Sequence, residues 1–300
     1  MRSTIVFCAA AGLALTLASM PKAEASLLGV DESTGNLYSV SESNATTSFI
    51  GSTGIVGAWA DIQFAPSGTL YGFTDSATVT PTLYKIDPTT AAVTAVGPLN
   101  TPNFVFEGAL TFAPGGTAYA MNIGRSGDTQ LFTINLATGA ASTLGVVGGA
   151  NDINGLAYRS DGKLIGLDDN SNSLLLIDPI TLTATTLAAV PTAVGAIGGM
   201  TVDGGVGYYV TGADTSINPG SDDLYSFNLV TGASTFVGNL GFTDDGLSGL
   251  AALPTPAVPE PSSIAILGSA VIGVGFVLSR RRDRGRVSET VANKPVKFRS

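Results

Sequence analysis

The chain has 300 residues, 44% hydrophobic, 12% charged and 7% aromatic, with a formal net charge of -9. It contains no His and a single Cys, Cys8, in a segment that reads as removable. Ser-His-Asp and Cys-His nucleophiles, imidazole ligands, Cys-type zinc sites and disulfides are therefore excluded from the mature protein. The charged fraction is about half of the usual ~25%, yet the apolar content is too high for disorder.

Residues 1–25 open with the basic Arg2, continue through an apolar run from Ile5 to Ala18 and end on Ala23-Glu24-Ala25. This is the layout of a secretory signal peptide whose small-x-small site (Ala23, Ala25) directs signal peptidase to cut before Ser26. The alternative, an uncleaved anchor, is disfavoured because the apolar run falls short of the ~20 residues of a membrane span.

The body is a repeat. One phrase recurs at Leu37-Tyr38-Ser39-Val40, Leu83-Tyr84-Lys85-Ile86-Asp87, Leu131-Phe132-Thr133-Ile134-Asn135, Leu174-Leu175-Leu176-Ile177-Asp178 and Leu224-Tyr225-Ser226-Phe227-Asn228, at intervals of 46, 48, 43 and 50. In the last four copies a turn and a further strand follow, through Thr138-Gly139 and Thr231-Gly232, and without the Gly over 88–96 and 179–187. A Gly-bearing turn and a strand precede the phrase, as in Ser67-Gly68-Thr69-Leu70-Tyr71 and Asp161-Gly162-Lys163-Leu164-Ile165. Before that stands a short apolar strand: Ile62-Gln63-Phe64, Leu110-Thr111-Phe112, Leu156-Ala157-Tyr158 and Met200-Thr201-Val202.

Each unit is thus four strands, A to D, in about 45 residues, the length and strand count of a propeller blade. The first unit lacks strand A, since Leu27-Leu28-Gly29-Val30 already matches strand B. The last copy, Gly249-Leu250-Ala251-Ala252-Leu253, is an A strand with nothing after it. Together the two fragments make one blade. The sequence therefore predicts an all-β, five-bladed β-propeller over residues 26–253, closed by its N- and C-terminal strands. Stacked sandwiches or an open solenoid are the alternatives, and neither needs complementary fragments at its ends.

A Pro-rich linker follows over 254–263, containing Val258, Pro259, Glu260 and Pro261. Residues 264–279 carry no charge and predict a short transmembrane helix. The tail over 280–300 begins with Arg280, Arg281 and Arg282, which would hold the end in the cytoplasm. In this order and spacing the Val-Pro-Glu-Pro box, apolar helix and Arg cluster resemble the PEP-CTERM sorting signal of Gram-negative bacteria. The resemblance implies recognition by an exosortase cutting near the box, and an exopolysaccharide or biofilm setting. The stub after Arg282 is longer than is usual for such signals; a plain anchor without exosortase processing is the alternative.

Residues 26–261 hold 20 acidic residues and four basic ones, whereas eight of the 14 basic residues lie beyond residue 278. An acidic body excludes nucleic acid as partner. Asp61, Glu107, Asp152 and Asn154 stand near starts of strand A and are candidates for a ligand mouth at one end of the channel. With only oxygen ligands available, a metal there or on the loops at 168–172 and 214–223 would be Ca²⁺, although a solvated loop end explains the same residues. The expectation is a non-enzymatic surface or matrix protein that binds extracellular polysaccharide or a surface protein. The alternative is a secreted propeller enzyme acting on a glycan or lactone through carboxylates.

Overall fold

Alternating apolar and polar positions fold into strands that bury one face or both. The computed structural model describes residues 26–57, 59–74, 80–100, 106–123, 128–190, 198–211, 222–242 and 246–254. The predicted signal peptide, linker box, membrane helix and basic tail lie outside the described residues. No helix among the described residues is long and apolar enough to cross a membrane. The chain divides into two units, Met1–Pro254 and Thr255–Ser300, and all the strands belong to the first.

The first described strands are β1 (Ser26–Asp31), β2 (Asn36–Ser41) and β3 (Thr47–Ser52). A second sheet holds β4 (Trp59–Phe64), β5 (Leu70–Thr74), β6 (Thr82–Ile86) and β7 (Val93–Pro98). The third is β8 (Phe106–Phe112), β9 (Ala118–Ile123), β10 (Thr129–Ile134) and β11 (Ala141–Val146). The fourth is β12 (Ile153–Tyr158), β13 (Leu164–Asp168), β14 (Ser173–Asp178) and β15 (Thr183–Ala189), and the fifth β16 (Met200–Asp203), β17 (Val206–Val210), β18 (Asp223–Asn228) and β19 (Ser234–Asn239). Finally β20 (Leu247–Ala252) returns to the first sheet and pairs antiparallel with β1, placing Gly29 opposite Leu250 and Leu27 opposite Ala252. The blade split between the two ends of the body is therefore present, with Leu250 beside Leu27 to Val30.

The core shows that the five sheets form a ring. An open stack of five sheets has four interfaces; here there are five apolar clusters. Four lie between consecutive blades in chain order, for example Leu28, Trp59 and Ile62 between blades 1 and 2. The fifth joins blade 5 to blade 1 through Val210, Leu224, Leu27 and Leu250. The innermost strands β20, β4, β8, β12 and β16 touch in a closed cycle. Both ends of the body lie in blade 1, where β1 starts and β20 ends, on the rim that carries the A-to-B turns of the other blades.

A latch repeats around this ring. After each third strand a Ser, Asp or Asn carbonyl accepts the N–H of the residue four positions on: Ala45 from Ser41, Ala91 from Asp87, Gly139 from Asn135, Leu182 from Asp178 and Gly232 from Asn228. All five of these residues have positive φ, between 55° and 81°. Each lodges against the outer strand of the preceding blade. A Cβ at Gly51 would sit 3.2 Å from the Ala91 Cβ, at Gly238 3.0 Å from the Ala45 Cβ and at Gly145 2.6 Å from Leu182 Cδ1, while at Gly232 it would sit 2.6 Å from the Ala188 Cβ. Between Gly97 and Gly139 there is no Cβ on either side, and a Cβ at Gly139 would lie 2.2 Å from the Gly97 carbonyl oxygen. No seam has a side chain on both sides. The outer strands also share a bulge, one residue before Gly51, Gly97, Gly145, Ala188 and Gly238. Such a bulge twists an exposed edge and blunts it as a template for pairing.

Candidate binding surfaces

The narrow ring brings the inner strands close together. A Cβ on Gly249 of β20 would lie 2.6 Å from the Ile62 backbone nitrogen of β4, and one on Gly199 2.3 Å from the Leu250 nitrogen. At this level β4 carries Asp61, which is 0% exposed. Its Oδ1 accepts the Ile62 N–H at 2.8 Å, and its Oδ2 accepts the Leu110 N–H of β8 at 2.7 Å. A further backbone bond comes from Leu250 of β20. Burial pushes the Asp61 carboxyl well above the usual carboxylate range, against the opposing pull of these three N–H groups. One side chain thus fastens three adjacent inner strands.

Two residues on, Gln63 reaches across the ring. Its Nε2 donates to the Met200 carbonyl at 3.2 Å and the Leu250 carbonyl at 3.4 Å, and its Oε1 accepts from Thr201 Oγ1 at 3.1 Å. Thr201 Oγ1 in turn accepts the Ala252 N–H at 3.0 Å. Inner-edge backbone groups that would otherwise face an open channel are thereby paired.

Of the other residues that the sequence offers as a mouth, Asn154 is buried at the start of β12 and Asp152 is half-buried just before it. Glu107 falls on β8 within its bulge, and its side chain is outside the described set. Asp61 is bonded into both β8 and β20. Asp168, at the head of the loop over 168–172, accepts the N–H of Ser171 on Oδ1 and of Asn151 on Oδ2. Its carboxylate holds a turn, as that of Asp31 does by accepting the Thr34 N–H, and at the equivalent place the Thr211 hydroxyl accepts the Asp223 N–H. Of the loop over 214–223, only Asp222 and Asp223 are described. Among the described residues no three acidic groups gather closely enough to hold a metal.

A cleft of about 370 Å³ opens on the rim of the chain ends, between blades 4 and 5, lined by Arg159, Asp161, Gly205, Asn228, Leu229 and Val230 among others. One of the four basic residues of the body, Arg159, lines it, and a second, Lys163, follows just after in the sequence; both are in ion pairs. Arg159 forks onto Asp161 and donates to the Leu229 carbonyl at 3.3 Å, and Lys163 pairs with Asp178. These partners hold the Asp161 and Asp178 carboxyls down at about 2, with the side-chain hydrogen bond the main cause in each. The cleft therefore presents matched charges.

Sequence reading missed two exposed aromatic rings on outer strands, Phe49 at 61% and Phe236 at 55% exposure. Each stands opposite a tyrosine on the neighbouring strand: Tyr38 at 5.8 Å and 69°, and Tyr225 at 5.6 Å and 66°. Behind Tyr38 is Phe242 at 5.1 Å, and behind Tyr225 is Tyr209 at 5.3 Å. The available signal was a fourth repeated phrase, Ser48-Phe49-Ile50-Gly51 and Thr235-Phe236-Val237-Gly238, at the spacing of the other phrases.

These features define a closed five-bladed β-propeller with a laced centre. Residues 257–282 match the PEP-CTERM protein-sorting motif, so the propeller belongs to an exported protein carrying a cell-surface sorting signal of the type processed by an exosortase. No curated protein matches the chain. Among solved structures it is similar to a chain of a nidogen/laminin complex (12% identity, TM-score 0.49, covering 76% of this chain and 98% of that one). It is also similar to TolB from Acinetobacter baumannii (17%, 0.43, 73% and 52%) and to an engineered GH43 glycoside hydrolase (12%, 0.44, 61% and 42%). These are distant likenesses.

Proposed function

We propose that the propeller is a non-catalytic binding module of a surface or matrix protein, displayed after sorting through Val258, Pro259, Glu260 and Pro261 and taking extracellular polysaccharide as its ligand. The observation that supports this reading best is the lacing of the ring centre. Asp61, fully buried in the closed inner layer, has both carboxylate oxygens engaged by backbone N–H groups. It is held away from the reach of a substrate, whereas a general acid must lie within ~3 Å of the atom it serves. Recognition then falls to the rims and the outer wall. The acidic body favours neutral over anionic polymers. A surface protein is the second class of partner, and Ca²⁺ remains a proposal for loops that the described residues do not cover.

Affinity electrophoresis through gels containing neutral polysaccharides, run beside an assay for reducing-end release, tests this reading. Retardation without turnover is the expected result. Turnover that is lost in Asp61→Asn or Glu107→Gln would replace it with the enzymatic reading.

A further inference from the structure

The two exposed phenylalanines sit at one repeat position in adjacent blades. Phe49 faces Tyr38 in blade 1, and Phe236 faces Tyr225 in blade 5. The corresponding outer-strand residues in blades 2, 3 and 4 are Ala95, Thr143 and Thr186. The aromatic sector is thus confined to the two blades that meet where the ring closes. Each phenylalanine ends a run of three rings, Phe49–Tyr38–Phe242 and Phe236–Tyr225–Tyr209, the second leading to the buried Tyr225 and Tyr209. Packing of this kind fixes a ring's orientation before any ligand arrives and lowers the entropic cost of using it.

The neighbours of both rings are hydroxylated. Two residues before each ring, on the same face of its strand, stand Thr47 and Ser234. On the inter-blade side of blade 1, Tyr208 of β17 donates its hydroxyl to Glu42 Oε2 at 3.3 Å, bridging blades 5 and 1. A protein interface of ordinary size needs ~800 Å² per partner around a contiguous apolar centre. Single rings set among hydroxyls do not supply one. They suit a ligand that is itself a repeat of small apolar faces edged with hydroxyls, and the charge of the body selects against acidic polymers.

We infer that Phe49 and Phe236 are two stacking platforms for the pyranose rings of a neutral polysaccharide, one blade apart on the outer wall. The inference rests on the binding-module reading and deepens it. C–H faces of the sugar lie against the negative face of each aromatic ring, and the Thr47 and Ser234 hydroxyls bond the equatorial sugar hydroxyls. Two platforms on one polymer add by avidity.

The test is affinity electrophoresis of the full chain in dextran, galactomannan and hydroxyethylcellulose, with alginate as the anionic control. Variants are Phe49→Ala, Phe236→Ala, the double variant, and Phe49→Tyr with Phe236→Tyr. Melting curves verify folding, which two exposed rings should leave intact. The expected result is retardation in a neutral polymer, weakened roughly 2- to 10-fold by each single alanine variant, abolished by the double variant and kept by the tyrosines. Retardation unchanged in the double variant would overturn the platform assignment and leave the binding reading standing. No retardation of the unmodified chain in any of the three neutral polymers would overturn both. A shift from dimer to monomer in the double variant, with no change in retardation, would assign the rings to contact between copies.

Discussion

At the seam between blades 4 and 5 the latch inverts its usual sizes. Here the turn carries Gly232 and the outer strand carries Ala188, whereas at the seams of Gly51 and Gly238 the strand carries the glycine and the turn an alanine. The Gly232→Ala variant would place a Cβ 2.6 Å from the Ala188 Cβ and force alanine into φ 71°. The left-handed conformation costs about 1–2 kcal/mol. Overpacking adds about 1–3 kcal/mol, so the single variant should lose about 2–5 kcal/mol. The Ala188→Gly variant alone should cost about 0.5–1 kcal/mol through strand entropy. Combined, the two changes remove the collision and retain the φ cost, so the double variant should be about 1–3 kcal/mol more stable than the sum of the singles. Urea denaturation of all four proteins measures this coupling. Additivity within about 0.5 kcal/mol would show that residues 188 and 232 do not meet, and would refute the latch as the device that seals the seams.

The Asp61→Ala variant should cost about 1–3 kcal/mol for each inner-strand N–H left without an acceptor, read by the same denaturation. Its pH dependence has a definite sign. Burial raises the folded-state value of Asp61 above 3.8, so the folded chain keeps a proton that the unfolded chain has lost. The stability it contributes is full below pH 3.8 and falls as pH rises through the raised value. Asp61→Asn should flatten that decline, and an unchanged slope would contradict the burial argument. Asp161 and Asp178 act oppositely: held at about 2, they stabilise above pH 3.8 and lose their contribution as the pH falls, so Lys163→Met should blunt the acid side of the profile. For sorting, Glu260→Ala should leave the chain uncut near the box, and Arg280, Arg281 and Arg282 all changed to Ser should weaken retention at the membrane, both read by mass spectrometry of the fractionated protein.

Much of the architecture was legible because its causes are local. The Leu-Tyr-x-Ile-Asp phrase carries strand alternation and, at its end, the Asx side chain that builds the next turn; Asp87 and Asn228 do accept the N–H groups two and three residues on. The missing A strand before Leu27 and the surplus one at Leu250 gave the ring closure by subtraction. The latch was half legible. Gly139 and Gly232 read as turn glycines, but their purpose lies in Gly97 and Ala188 of another blade. Ala45, Ala91 and Leu182 hold the same left-handed conformation without a glycine to announce it. Asp61 read as a mouth residue because its nearness to strand A was visible, while its partner Leu110 stands 49 residues away and is reached only once the blades close. Phe49 and Phe236 were hidden for a different reason: a phenylalanine in an alternating strand reads as core, and only the position of these strands at the outer edge exposes it.

The pairing of β20 with β1 supports every other statement about this ring, and a cysteine cross-link tests it directly. Leu28 and Ala251 stand opposite each other and belong to one apolar cluster between blades 1 and 2. Leu250, one position away, faces the cluster between blades 5 and 1. In the exported chain, which has no cysteine after residue 8, Leu28→Cys with Ala251→Cys should oxidise to a single intramolecular disulfide, seen as faster migration on a non-reducing gel. Leu28→Cys with Leu250→Cys should not. Failure of the first pair, or equal cross-linking of both, would contradict the closed ring.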